Sequence, residues 1–421
     1  KKFEALDIPF SHTWVSATLH DEETDEYYFG LSWESYGVAC WNCSSRKWAY
    51  YQPETDKKEM FNTFDIFKDS YGVIWIATSQ RGLWYIDKKS KTLKPFKSFN
   101  KDNNLWNSTF YKIFEDSKNN LWLGTGKYGV VRLNSNRTKA DYFINDAKDS
   151  TSLRGNTRFG AIEEDQYGRI WIGSYNGFCT FDPKTETFSR EIPLKLQKIG
   201  IRDGYTYSIV RDTTNAMWLT IEGQGLLKIE EQIRDNFNFI IYQTDNGLKD
   251  LTVRYMTSDK QGGLWLVNNG LLYLNPYNNS FMLTDERSGL LENIGGDDKI
   301  MVDKYGNVFC GEQVGLEWLG EAKKYSQSSV SNLIIENIDI NSQSVLDWNP
   351  YNETKTSRIV KHNQNNFTFG YTAICFEDYN QVRYRYKLEG LEDDWNSPTN
   401  ILETRYTNLK PGKYRFVVDV S

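Results

Sequence analysis

Three kinds of side chain in this sequence suggest covalent or metal chemistry. They are the pair in Cys40-Trp41-Asn42-Cys43, the histidines His12, His20 and His362, and a series of aspartates that recurs along the chain. A CxxC pair serves thiol–disulfide exchange in a βαβ setting, or supplies half of a zinc site when a second pair exists. Neither setting is present, and Cys179, Cys310 and Cys375 are too scattered for a disulfide framework. No two histidines stand at a metal-binding spacing such as i, i+4, and a lone loop histidine such as His12 is ordinarily a surface residue. No G-x-S-x-G and no phosphate-cradling glycine loop occurs. Asp116-Ser-Lys-Asn-Asn offers one carboxylate without the distal Glu of an EF-hand. No catalytic residue, metal ligand or cofactor is therefore assigned.

The aspartates are explained by where they recur. Asp69-Ser-Tyr-Gly72-Val-Ile-Trp75-Ile-Ala-Thr78 is followed by Asp116-Ser-Lys-Asn119-Asn-Leu-Trp122-Leu-Gly-Thr125 and Asp165-Gln-Tyr-Gly168-Arg-Ile-Trp171-Ile-Gly-Ser174. Further copies start at Asp212 with Trp218, at Asp259 with Trp265, and at Asp303, where Phe309 takes the Trp place. A worn copy at Asp21 puts Tyr28 near that place. Successive Asp residues lie 48, 47, 49, 47, 47 and 44 positions apart, the period of one four-stranded propeller blade. Carboxylates on separate blades are too distant to work as an acid–base pair. Clusters such as Glu163-Glu164-Asp165 read as solvated turns.

Each piece of the repeat has a physical task. Asp followed three residues later by Gly or Asn suits a type I turn ending at positive φ, which closes a hairpin. Runs such as Val73-Ile-Trp-Ile-Ala77 lack alternation, so both faces of that strand must be buried, as they are between two neighbouring blades. A glycine then opens a third strand: Gly37, Gly82, Gly129, Gly177, Gly225, Gly270 and Gly315. A fourth strand completes each copy. The segment from Lys2 to Ile8 is expected to pair as the outer strand of the last blade and to latch the ring. The expected fold is all-β: a seven-bladed β-propeller over residues 1–322, then a truncated immunoglobulin-like β-sandwich over 323–421.

Composition agrees with this reading. The chain has 421 residues, rich in aromatics at 14 Trp, 27 Tyr and 23 Phe and poor in Pro at 9. A net charge of −6 has the wrong sign for a phosphate-backbone binder, so nucleic acid is not an expected partner. No run reaches the ~18 apolar residues of a membrane span.

With the Trp, Asp and Gly of the repeat assigned to the ring, the irregular loops at one end of the blades are left as the candidate ligand face. They carry Trp33, Tyr36, Arg81, Lys127, Tyr128, Arg158, Tyr175, Tyr205 and Arg254, with amides such as Gln224 and Asn268 beside them. Sugar rings stack their C–H faces on aromatics, and their hydroxyls pair with amide and charged groups. This mixture suits an oligosaccharide, and the four cations suit an acidic one. A carbohydrate-active lyase on the same ring and a protein-binding scaffold are the alternatives.

After the ring, Glu321–Ser329 reads as a linker. Short strand-like runs follow at Leu333–Ile340, Phe367–Tyr371, Val382–Leu388, Arg405–Leu409 and Tyr414–Val420, a sandwich pattern that lacks its last strand.

The repeats resemble the two-component regulator propeller repeat, D-x-x-G-x-[IL]-W-[IL]-G-T-x-x-x-G-[LI], over nearly all of residues 1–320. The tail resembles the Y_Y_Y domain that follows such repeats, through Phe369-Gly-Tyr371, Tyr384-Arg-Tyr-Lys-Leu-Glu-Gly-Leu391, Trp395 and Arg405-Tyr-Thr-Asn-Leu-Lys-Pro-Gly-Lys-Tyr414. The resemblance implies the periplasmic sensor region of a Bacteroidetes two-component receptor that recognises glycan fragments. Such a receptor is a homodimer signalling to a cytoplasmic histidine kinase. This sequence has one propeller and no membrane or kinase segment, so membrane attachment is expected through a segment outside it.

Overall fold

The fold is described from a computed structural model, which covers residues 4–5, 13–33, 37–53, 61–97, 108–155, 161–275, 280–284, 299–312, 315–319, 330–344, 359–375, 384–397, 399 and 401–420. The chain divides into two compact units, Lys1–Lys323 and Lys324–Ser421.

In the first unit the described strands fall into seven antiparallel groups of four. Blade 1 is Thr13–Asp21, Glu26–Trp33, Gly37–Asn42 and Lys47–Pro53; blade 2 is Thr63–Lys68, Ile74–Thr78, Leu83–Asp87 and Thr92–Pro95. Blade 3 is Phe110–Glu115, Leu121–Thr125, Val130–Leu133 and Ala140–Phe143; blade 4 is Ile162–Glu164, Ile170–Ser174, Gly177–Asp182 and Thr187–Ser189. Blade 5 is Thr206–Arg211, Met217–Ile221, Gly225–Ile233 and Asn236–Tyr242; blade 6 is Tyr255–Ser258, Leu264–Val267, Leu271–Leu274 and Phe281–Thr284. Blade 7 has Ile300–Val302, Val308–Glu312 and Gly315–Leu319 from its own copy and borrows Glu4–Ala5, which pairs with Trp318 and Glu317. The first strand of each blade touches the first strand of the next, and Thr13–Asp21 touches blade 7, so the order closes into a ring. Blades 1 and 2 also share a short parallel contact between their outer strands, Gln52 with Thr92 and Pro53 with Leu93.

The second strand of each repeat supplies the core. Trp75, Trp122, Trp171, Trp218 and Trp265 are all buried; the first four pack against residues of the next blade, and Trp265 lies against Tyr273 of its own sheet at 4.8 Å. Burying one such ring removes ~150–250 Å² of surface, at most about 4–6 kcal/mol at ~25 cal/mol/Å². The glycines that open the third strands are required by geometry. Gly129 has φ 64°, and a Cβ there would stand 2.2 Å from the Phe143 carbonyl oxygen. The hydroxyl that ends the second strand then secures the turn: Thr125 Oγ1 donates to the Gly129 carbonyl at 3.0 Å, and Thr78 does the same for Gly82 at 2.7 Å.

An α-helix departs from the all-strand expectation. Glu191–Lys198 is a two-turn helix between blades 4 and 5, whose Ile192 and Leu196 enter the cluster around Trp171 and Phe178. Spacing of i, i+4 puts both on one face.

The second unit has a four-stranded sheet in the order Gln343–Ser344, Val330–Ile340, Phe367–Cys375 and Glu403–Tyr406, and a two-stranded sheet of Tyr384–Glu389 with Arg415–Val420. Its core is built on the tyrosine pattern: Tyr371 and Tyr384 are fully buried 5.3 Å apart, and Phe369 stacks on Phe416 at 4.1 Å. Tyr406 donates its hydroxyl to Glu392 at 2.9 Å, which satisfies its polar end.

Candidate ligand-binding face

The two ends of the blades differ in how their polar groups are used. At the hairpin end, charges are consumed between neighbours. Arg137 bridges Asp69 at 3.1 Å and Glu115 at 2.8 Å; Lys68 reaches Asp21 and Glu23, each at 2.6 Å; Arg169 pairs with Asp165 at 2.6 Å, with Asp235 at 3.1 Å and with Glu231. Burial opposes the charge on Arg169, and Asp165 and Glu231 more than offset it, so its pKa is raised. The acidic run Glu163-Glu164-Asp165 is not the solvated turn expected from sequence. Glu164 is buried and accepts the backbone N–H and hydroxyl of Ser117 at 2.7 Å each, stitching blade 3 to blade 4, and Asp165 is buried under Trp171. His20 also belongs to this end, stacked on Tyr27 and bonded to Asp25 at 3.0 Å.

The opposite end carries the irregular loops, and here a feature of the inner strands matters. The ladder between the first and second strands slips by one residue at Ser16, Phe64, Tyr111 and Tyr207 in blades 1, 2, 3 and 5. Each of these residues stands five positions before its repeat Asp. A bulge leaves the extra residue out of the pairing and re-aims its side chain. Arg254 holds the same repeat position in blade 6.

These positions meet around the ring. Phe64 and Tyr111 lie with centroids 5.0 Å apart across blades 2 and 3. Arg254 lies over the Tyr207 ring at 5.8 Å across blades 5 and 6, within the ~6 Å reach of a cation–π contact. Tyr207 stacks on Tyr205 at 4.4 Å and 13°, Tyr175 of blade 4 meets Tyr205 edge-on at 4.7 Å, and the Tyr207 hydroxyl donates to Glu222 at 2.8 Å. Backbone bonds hold this wall in place: Glu222 N–H donates to the Tyr205 carbonyl at 2.8 Å, and Gly225 N–H donates to the Leu251 carbonyl of the next connection at 2.9 Å.

Of the residues named from sequence, Tyr175, Tyr205 and Arg254 are thus brought together, through Tyr207. Tyr175 is 40% exposed, whereas Tyr205 is buried and acts as the support between two rings. Lys127 and Tyr128 lie on the same end of blade 3, with the ammonium 5.4 Å from the ring; the Tyr128 ring packs on the core and its backbone N–H donates to Thr125 Oγ1. Arg81 follows the second strand of blade 2, and its carbonyl accepts the Trp84 indole N–H at 2.7 Å. The Trp33 side chain, Tyr36, Arg158 and His12 lie outside the described residues. Asn268 is buried and spends both ends of its amide on backbone groups of Lys249, Asp250 and Thr252, and so shapes the loop.

Phe64, Tyr111, Tyr207 and Glu222 were not singled out from sequence. The signal was present as a fixed offset, five residues before the repeat Asp for the rings and ten after it for Glu222. Among the described residues, no group of three or more His, Cys, Asp or Glu could hold a metal ion.

Comparison with known proteins places this architecture. The two-component regulator propeller family matches residues 104–127 and 152–176, and the Y_Y_Y domain family matches residues 375–421. A histidine kinase of Formosa agariphila is 27% identical over 414 residues, covering 93% of this chain and 29% of its own. The extracellular domain described as that of a hybrid two-component system from B. thetaiotaomicron superposes with a TM-score of 0.62 at 22% identity, covering 100% of this chain and 56% of its own. Virginiamycin B lyase from Staphylococcus aureus superposes at 0.55 with 14% identity, covering 75% of this chain and 98% of its own. The chain therefore spans less than a third of the kinase and a little over half of the extracellular domain, and the structural likenesses speak to the fold alone. Two copies of the repeat thus match the two-component regulator propeller family, and the end of the second unit matches the Y_Y_Y domain family.

Proposed function

We propose that this chain is the ligand-sensing, periplasmic region of a two-component receptor, and that the loop end of its ring binds an oligosaccharide. The observation that carries the reading is the Tyr175–Tyr205–Tyr207 run with Arg254 and Glu222 at its end. An exposed ring offers a stacking surface for the C–H face of a sugar, and the carboxylate and guanidinium offer an acceptor and donors for its hydroxyls. The sensing role is supported by the relatives, a histidine kinase and an extracellular domain of a two-component system. In the full receptor, binding would bias a homodimer whose arrangement is read by a kinase across the membrane. Catalysis has no part in this reading.

Calorimetry of the purified chain against neutral and acidic oligosaccharides tests the proposal. Saturable binding without product formation is expected, with Tyr175→Ala weakening it about tenfold. Turnover of the bound glycan, or binding to no member of a broad panel, would overturn it.

A further inference from the structure

The slipped ladder positions point to a second aromatic subsite, separate from the Tyr205–Tyr207 wall. Phe64 and Tyr111 occupy in blades 2 and 3 the same repeat position that Tyr207 occupies in blade 5 and Arg254 in blade 6. All three rings sit on a bulge of the innermost strand, so all three are re-aimed in the same way at the same level of the ring. The half-buried Phe64 and Tyr111 rings contact each other at 5.0 Å across the blade boundary, as Tyr207 and Arg254 do across theirs.

The two platforms are built on different supports. In blade 5 the position ten residues after the repeat Asp is Glu222, which holds the Tyr207 hydroxyl. In blade 3 that position is Gly126, and Tyr111 rests on its bare backbone: a Cβ at Gly126 would lie 3.1 Å from the Tyr111 ring. Blade 5 therefore combines an aromatic ring with charge. At the blade 2–blade 3 boundary the corresponding pair is aromatic on both sides.

We infer that Phe64 and Tyr111 form an apolar stacking subsite for a further sugar ring, so that the ligand is an oligosaccharide long enough to bridge the ring mouth from blade 5 to blade 3. This rests on the proposal that the loop end binds an oligosaccharide. A short ligand fills the Tyr175–Tyr207 wall alone, and added sugar units gain affinity only when they reach Phe64 and Tyr111. Linking two weak contacts in one ligand raises overall affinity through effective concentration.

The test is calorimetry with disaccharides, tetrasaccharides and hexasaccharides of the same glycan, on the wild type, Phe64→Ala, Tyr111→Ala and the ring-preserving Phe64→Tyr, each checked for an intact melting transition. The expected result is affinity that rises with length in the wild type and in Phe64→Tyr. In Phe64→Ala or Tyr111→Ala the hexasaccharide should lose about five- to tenfold while the disaccharide is unchanged. Tyr175→Ala should weaken every length. Affinity independent of length, or Phe64→Ala and Tyr111→Ala variants that bind the hexasaccharide as the wild type does, would overturn the second subsite and leave the first standing. Binding of no length at all would overturn the oligosaccharide reading itself.

Discussion

Asp116 and Trp122 are joined by a buried hydrogen bond: the indole N–H donates to Asp116 Oδ2 at 2.8 Å, while Oδ1 accepts the backbone N–H groups of Lys118 at 3.0 Å and Asn120 at 2.8 Å. One carboxylate thus closes the hairpin turn and satisfies the polar atom of the largest core side chain. The same bond recurs from Trp75 to Asp69, Trp171 to Asp165 and Trp218 to Asp212, at 2.7–2.8 Å. Where blade 7 has Phe309 in place of Trp, Asp303 Oδ2 accepts instead from Asn307 at 2.6 Å and from the Tyr27 hydroxyl of blade 1 at 2.7 Å, across the seam where the ring closes.

Removing the carboxylate should therefore unfasten a turn and orphan a buried indole N–H together. Asp116→Ala is expected to destabilise the ring by about 2–4 kcal/mol, and Asp116→Asn, which keeps one acceptor oxygen, by less. Urea denaturation followed by tryptophan fluorescence checks this. An unshifted midpoint in Asp116→Ala would mean that the turn holds without its carboxylate.

Blade 6 breaks the pattern and supplies a second test. The indole nitrogen of Trp265 is buried and has no hydrogen-bond partner among the described residues. Gly263 stands where other copies have larger residues, and the hydroxyl end of Tyr273 takes the space: a Cβ on Gly263 would meet the Tyr273 Oη at 2.2 Å. Replacing Trp218 by Phe leaves Asp212 Oδ2 without its donor, whereas replacing Trp265 by Phe removes an N–H that has no partner to lose. Trp218→Phe should cost about 1–2 kcal/mol more than Trp265→Phe, although the two remove the same volume. Equal losses would show that packing alone decides the effect.

The Asp and the Trp were legible as a turn former and a core ring six residues apart because they repeat, though not as bonded to each other, and the turn residues at positive φ followed from the Gly or Asn at a fixed place, as at Gly72, Asn119 and Asn215. The bulges were not, because a single extra residue breaks the alternation on which strand reading depends. Phe64 and Tyr111 therefore read as ordinary strand aromatics. The Glu191–Lys198 helix was missed for a related reason: two turns, with Pro193 in the first, show too little periodicity to stand out from the outer-strand segments of other copies. Glu164 looked solvated because its partner, Ser117, lies in a different blade.

The Cys40–Cys43 pair can be assigned against redox chemistry. Both are free thiols; Cys40 is buried in the cluster facing blade 2, and Cys43 packs in the one facing blade 7. Burial pushes the Cys40 thiol up to about 12 and raises that of Cys43 as well, the opposite of an activated thiolate. Native alkylation should modify the half-buried Cys43 before Cys40, with Cys40 protected until the ring unfolds, and a reductant should leave the melting temperature unchanged. A native disulfide between them by mass spectrometry would refute this.

Glu163 sets a pH dependence whose sign can be worked out. Burial raises its carboxyl to about 7 from an ordinary 4.5, against the partial relief of the Glu164 N–H and the charges of Arg211 and Lys112. A folded-state pKa above the unfolded one means that the folded chain holds this proton more tightly. The stabilising contribution is present below about 4.5 and is lost as pH rises through about 7. Glu163→Gln stays neutral throughout, so it should match the wild type near the lower value and exceed its stability above the upper one. The side chain is only half-buried by surface, so water relieves part of the penalty and the gain should be about 1–2 kcal/mol. Denaturation of both proteins on either side of this window decides the matter: a difference that does not grow with pH would show that Glu163 is solvated in the folded ring.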